Sequence, residues 1–346
     1  MSVSEHSVER KHWGDYNIFV LTNNNGVTVE ISDLGATIVS FWVTDKSSIP
    51  RNIVLGYDTA NEYLSGGAFI GAVVGPWGNR IDNGKYELNG QTVQLDKNEG
   101  ENHLHGGSCT LHKRRWEVMA SAKQGISLQT RVASGEGGYP ANLTLLVTYR
   151  LSDDNELSID YHVTADKECP VNPTHHAYFN LSGQHKSIGD HVVSIDADRY
   201  WQVDKNSIPT IQASVGTSAM SFMTPKKVGL GLSSADTNLV ETKGYDHCYI
   251  VNGEGLRHFA WVFEATTGIE LDVFSDRPAI QFYTGNHLAG ESRKTNELFV
   301  QYAGLCLETQ AFPNQVNMPE YQDGGLVHPN NPFFSTTIYK VSVDNL

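Results

Sequence analysis

The stretch 143-LTLLVTYRLSDDNELSIDYHV-163 decides the fold. Leu143, Leu145, Val147, Tyr149 and Leu151 alternate with mostly polar neighbours, 152-SDDN-155 turns the chain, and Leu157, Ile159, Tyr161 and Val163 resume the alternation. Successive side chains on a strand point to opposite faces, so this period of two predicts a long antiparallel hairpin with one buried face. The device recurs in 85-KYELNGQTVQL-95, where Asn89-Gly90 tolerates the positive φ of a type I′ turn. A third hairpin is expected at Thr266-Thr267-Gly268, with Ile269, Leu271 and Val273 on its returning strand. Helical patterns are few; 58-DTANEYL-64 reads as a turn or two of helix with Asp58 as its cap. No Pro/Ser-rich linker, charge run or fixed-period repeat divides the chain, so residues 1–346 are expected to form a single all-β domain, a large antiparallel sandwich.

Composition narrows the function. A chain of 346 residues with 39% hydrophobic and 10% aromatic content can bury a sizeable core. The 25 Lys and Arg against 39 Asp and Glu leave a net charge of −14, which repels nucleic acids and anionic membranes but not a neutral small molecule. The opening MSVSEHSVERKHWGD has no apolar leader core, and no run approaches the roughly 18 apolar residues that span a bilayer. The expected location is the cytoplasm. Cys109, Cys169, Cys248 and Cys306 are widely spaced without a CxxC pair, as free thiols in a reducing compartment would be.

Four short segments carry candidate chemistry. In 172-NPTHHAYFNL-181, Pro173 biases Asn172 toward extended backbone, and alternation then puts His176, Tyr178 and Asn180 on one face and His175, Ala177, Phe179 and Leu181 on the other. The adjacent histidines are therefore expected to do different jobs. In 304-GLCLETQ-310, Glu308 shares a face with Cys306 and Gln310; a carboxylate in such apolar company is costly to desolvate, and partial burial raises its pKa toward that of a useful base. A salt-bridged edge glutamate is the competing reading. In 98-NEGENHLHGG-107, His103 and His105 point the same way if the run is a strand, which invites a cupin-type metal site. The rest of that pattern is missing from 106-GGSCTLHKRRW-116, so no metal is expected, and His112 is read as a surface residue. In 75-GPWGNRI-81, Arg80 follows glycines and Trp77 that offer close backbone approach and a flat apolar wall; its guanidinium can orient sugar hydroxyls, or serve a structural ion pair. Asp246, in 244-GYDH-247, is placed to accept from vicinal hydroxyls or to be a plain turn residue. Together the segments describe an acid/base enzyme that handles sugars.

With these segments in order, the chain resembles the aldose 1-epimerase, or galactose mutarotase, family. The likeness runs nearly end to end through 33-DLGATIVS-40, 55-LGYDTANEYL-64, 135-GEGGYPANL-143, 169-CPVNPTHHAYFNLSG-183, 281-QFYTGN-286 and 307-LETQAFP-313 as well as the segments above, and is nearest the bacterial branch. The resemblance implies a β-super-sandwich with an open sugar cleft. It also implies interconversion of the α and β anomers of free galactose and glucose without a cofactor. By position, His176 matches the family's general acid and Glu308 its general base, while Asn79, Arg80, His105, Tyr178, Asp246 and Gln281 match sugar-contacting positions. The chain departs from the family at Gly75-Pro76-Trp77-Gly78, at His175, and at 110-TLHKRRW-116.

Three rivals remain on the sequence. A hexose-6-phosphate mutarotase would need clustered cations for a dianion, and Lys113-Arg114-Arg115, the obvious cluster, reads as solvated surface. A noncatalytic sugar-binding protein of the same fold would not need both His176 and Glu308. A cupin-like metalloenzyme is the third. The expected partner is a monosaccharide, handled by a monomer or homodimer.

Overall fold

The computed structural model describes residues 8–291 and 298–344. Residues 1–7, half of the segment searched for a leader, lie outside it. The decisive hairpin forms as the alternation requires. Strands Leu143–Leu151 and Glu156–Ala165 pair antiparallel with Leu151 opposite Leu157. Their odd-numbered apolar residues from Leu143 to Val163 are all buried, and Asn155 closes the turn with a positive φ. This hairpin sits within a nine-stranded antiparallel sheet, flanked on one side by Gly125–Val132 and on the other by Phe333–Val343 and Ile269–Ser275. The turn at 266–268 joins Arg257–Glu264 to Ile269–Ser275, and Asn89 and Gly90, both at positive φ, join Lys85–Leu88 to Gln91–Gln94.

A six-stranded sheet runs Tyr178–Phe179, Leu305–Gln310, Ala279–Tyr283, Asp246–Ile250, Arg199–Val203 and Pro209–Ser214. A five-stranded sheet near the N-terminus completes the large elements. The first two pack face to face: the Tyr339 hydroxyl donates to the Leu307 carbonyl, Thr309 and Thr337 join hydroxyls at 2.5 Å, and the Phe179 and Tyr339 rings meet edge-on at 4.9 Å. Tyr149 ties the hairpin to the five-stranded sheet by donating to the Ala36 carbonyl. One contiguous apolar core draws on all three sheets.

Helices are short, at Ala60–Ser65, Val228–Leu232 and Thr237–Glu241. The first is capped by Thr59, not Asp58: Thr59 and Glu62 form a reciprocal capping box, because the residue three before Glu62 is the one whose side chain can reach its backbone N–H. No described helix is long and apolar enough to cross a membrane.

Candidate active site

The run 172–181 is not one continuous strand. Thr174–His175 pairs with Val73–Val74, after which the chain changes partner and Tyr178–Phe179 pairs with Leu305–Cys306. His176 lies at the change of partner, held by its own N–H to the Ala72 carbonyl and by its carbonyl to the Gly71 N–H. The expected division of the two histidines holds. His175 is buried in the core near Tyr149, whereas His176 turns into a cleft of about 840 Å³ between loops and the six-stranded sheet.

Glu308 comes from the middle of the neighbouring strand, paired in register with Gln281. Only 2% of Glu308 and 5% of His176 is exposed, and His176 Nε2 stands 3.9 Å from Glu308 Oε1. That distance is too long for a direct hydrogen bond, so both groups face the cleft with donor and acceptor capacity unspent. Burial raises the Glu308 carboxyl well above the usual carboxylate range, with the Asp246 charge adding to it and Arg80 opposing. Burial also lowers His176 to about 4, against the weaker pull of its own carbonyl and of Asp246. The environment thus favours the uncharged form of each.

Around this pair the structure gathers most of the residues expected from the sequence. Asn79, Arg80, His105, Tyr178 and Asp246 line the same cleft as His176 and Glu308. Asn79 adopts a positive φ and its side-chain oxygen accepts from the Arg80 N–H. Arg80 lines the cleft and also makes an ion pair, gripping Glu99 through two bonds of 2.7 and 2.6 Å. Gln281 does not line the cleft; its amide N–H donates to Asp246 Oδ1 at 2.6 Å and so holds that carboxylate from behind.

His103 and His105 do not point the same way. The strand ends at Leu104, and His105 takes a positive φ that swings its ring into the cleft, while His103 stays in the core between Asp96 and the Tyr139 hydroxyl. Gly106 must follow, since a Cβ there would lie 1.7 Å from the Gly75 carbonyl oxygen. His112, read as a surface residue, is half-buried: its ring packs on Phe69 at 4.6 Å, and burial lowers its pKa to about 4. Trp77 is no wall of the cleft but is fully buried in the core. Arg114 is half-buried, bonded to Glu136 and to the Cys109 carbonyl, and Arg115 lies over the Tyr16 ring; neither lines the cleft.

Two lining aromatics were not singled out from the sequence. Phe69, at φ 55°, contacts the rings of His105 and His176, and Tyr283 meets His176 edge-on. A phenylalanine at positive φ leaves no trace in a hydropathy pattern. Tyr283 stands in 281-QFYTGN-286, where the family resemblance points to Gln281 alone.

His105, His176 and Glu308 bring three ligand-type atoms within 4.8 Å of one another. Two histidines and a carboxylate are a familiar metal set, but the hydrogen bonds argue otherwise here. His105 Nδ1 accepts the Asn79 N–H at 3.1 Å, which puts the ring proton of neutral His105 on Nε2. Neither nitrogen then has a free lone pair for a cation.

A buried carboxyl facing an imidazole, in a cleft lined with hydrogen-bonding side chains, is the equipment of an acid/base enzyme for a polar neutral molecule. The chain belongs to the aldose 1-epimerase family, whose sequence pattern matches residues 17–340. It is 36% identical to aldose 1-epimerase of Escherichia coli over 94% of this chain and 95% of that one. It is also 36% identical to human galactose mutarotase over 91% of each. Among solved structures, an aldose epimerase homologue from C. elegans superposes with a TM-score of 0.89 at 27% identity, covering 95% of this chain and 100% of that one. Galactose 1-epimerase from Lactobacillus acidophilus gives 0.85 at 27% identity, with 97% of each covered.

Proposed function

We propose that the protein is a mutarotase that interconverts the α and β anomers of free hexoses such as D-galactose and D-glucose, with Glu308 as base and His176 as acid. The observation that carries this reading is the buried His176–Glu308 pair, 3.9 Å apart and open to the cleft. Glu308 takes the proton of the C1 hydroxyl, the C1–O5 bond breaks with its electron pair on O5, and O5 takes a proton from Nε2 of the His176 imidazolium. C1 becomes an aldehyde, rotation about C1–C2 exposes its other face, and the reverse steps close the ring as the other anomer.

The pair begins as carboxylate and imidazolium and ends as carboxylic acid and imidazole, holding the same number of protons throughout. Burial favours the second form in the resting site as well, as the shifts of Glu308 and His176 indicate, so the reacting carboxylate and imidazolium arise when one proton passes from Glu308 to His176 within the pair. Asn79, Arg80, His105 and Asp246 hold sugar hydroxyls, Tyr178 packs beside His176, and Gln281 acts by fixing Asp246. The scheme uses protein groups alone, without metal or cofactor.

Residues 1–346 act as one domain in this reading, supported by a family match across 17–340 and a core shared by all three large sheets. Four buried, unpaired thiols support the cytoplasmic location. Polarimetry on freshly dissolved α-D-galactose and α-D-glucose tests the activity. An optical rotation that relaxes no faster than the spontaneous rate would refute it.

A further inference from the structure

His105 and His176 face one cleft, yet their Nδ1 atoms are tied to different kinds of partner. His105 Nδ1 receives a backbone N–H, from Asn79 at 3.1 Å. His176 Nδ1 instead meets the sulfur of Cys306 at 3.5 Å, with both residues buried. Cys306 is brought there by the strand register: it stands two residues before Glu308 on the same face of Leu305–Gln310, and it pairs across with Tyr178 and Tyr283. The strand that carries Glu308 therefore also grips the far side of the His176 ring.

We infer that Cys306 is a positioning residue for His176: its sulfur accepts the Nδ1–H, which leaves Nε2 as the ring nitrogen that exchanges a proton in the cleft. The inference rests on the acid role proposed for His176. A ring that gives up and regains a proton at Nε2 must keep its Nδ1 proton in both states, so its Nδ1 partner has to be an acceptor. A backbone N–H in that place, as at His105, would fix the proton on Nε2 and leave a hydrogen-bond donor that carries no proton to and fro. A carboxylate would accept, but its charge would hold the ring as imidazolium. The thiol is a weak, uncharged acceptor, kept protonated because burial raises its pKa well above the ordinary value. It fixes the tautomer without charging the ring. The two histidines are thereby sorted, His105 as a permanent donor and His176 as a proton carrier.

The test combines ¹⁵N-histidine NMR with kinetics on Cys306→Ala and Cys306→Ser. In the unsubstituted protein, neutral His176 should give the signature of the Nδ1–H tautomer and His105 that of Nε2–H. Cys306→Ala should move His176 away from that signature and lower kcat about tenfold, the mild end of what misplacing a reacting group costs, with KM within about twofold. Cys306→Ser, whose hydroxyl also accepts, should restore the tautomer and most of kcat. An Nε2–H signature for His176 in the unsubstituted protein overturns the inference, even if the alanine variant does not fold. So does a fall in kcat in both variants with the tautomer unchanged, the mark of a packing effect. A protein with the expected tautomers but no mutarotation would instead refute the proposed activity and leave the tautomer assignment standing.

Discussion

Replacing Glu308 by glutamine removes basicity while keeping volume and hydrogen-bonding atoms. The substitution leaves the Arg80–Glu99 ion pair and the Gln281–Asp246 bond in place, so the sugar-holding side of the cleft is undisturbed. KM should stay within about threefold, whereas kcat should fall by about 10²-fold or more, the loss expected when one proton-transfer group is removed. That corresponds to about 2.7 kcal/mol of barrier. Stability should move the other way. The folded-state pKa of Glu308 is raised above its ordinary value of 4.5, so the native protein holds a proton that the unfolded chain releases. Relative to the glutamine variant, the native protein loses stability as pH rises from about 4.5 through the folded pKa, and loses nothing below 4.5, where both states are protonated. Glu308→Gln should therefore show a higher Tm than the unsubstituted protein at pH 8, with the difference shrinking toward pH 4. The assays are polarimetry against the spontaneous rate and thermal unfolding across pH. Near-normal turnover would exclude Glu308 as the base and make Asp246, the other carboxylate beside it, the next to test. A Tm difference independent of pH would show that its carboxyl is not desolvated as described.

His176→Asn should cost about 10²-fold or more in kcat, while His175→Asn should keep kcat within about threefold because its ring lies in the core; comparable damage from both would contradict the division of faces. The double variant Glu308→Gln with His176→Asn should lose less than the product of the single losses, since the two groups serve one proton transfer; multiplicative losses would show that they act independently. Protein treated with EDTA should keep its full rate, and a loss restored by one divalent metal would revive the three-ligand reading of His105, His176 and Glu308. Glucose should have a higher kcat/KM than glucose 6-phosphate, because the described lining carries Arg80, Lys205 and Lys243 against six carboxylates, a balance that repels a dianion. A ratio favouring the phosphate would overturn that assignment.

The parts of this molecule legible in the sequence are those where side-chain direction follows from extended backbone. From Leu143 to Val163 the period of two and the burial pattern coincide residue by residue, and the same rule separates His175 from His176 and puts Cys306 on the face of Glu308. The misreadings occur where the chain leaves that backbone. His105 at φ 49° and Phe69 at φ 55° project in directions that counting by two cannot supply, so His103 and His105 part company and Phe69 enters the cleft unannounced. Thr59 and not Asp58 caps the first helix because Glu62, three residues on, returns its side chain to Thr59. Trp77, in an isolated bridge to Asn172, and His112, in a single turn of 3-10 helix, lie outside the long strands, where burial depends on segments far away in sequence. The division of labour between His105 and His176 is further still from the sequence. It is set by whether Nδ1 meets a backbone N–H or a sulfur, and both contacts join segments that only the finished fold brings together: Asn79 to His105, and His176 to Cys306 across 130 residues. Residue type tells that an imidazole is present; the partner behind it decides whether that imidazole holds its proton or hands it on.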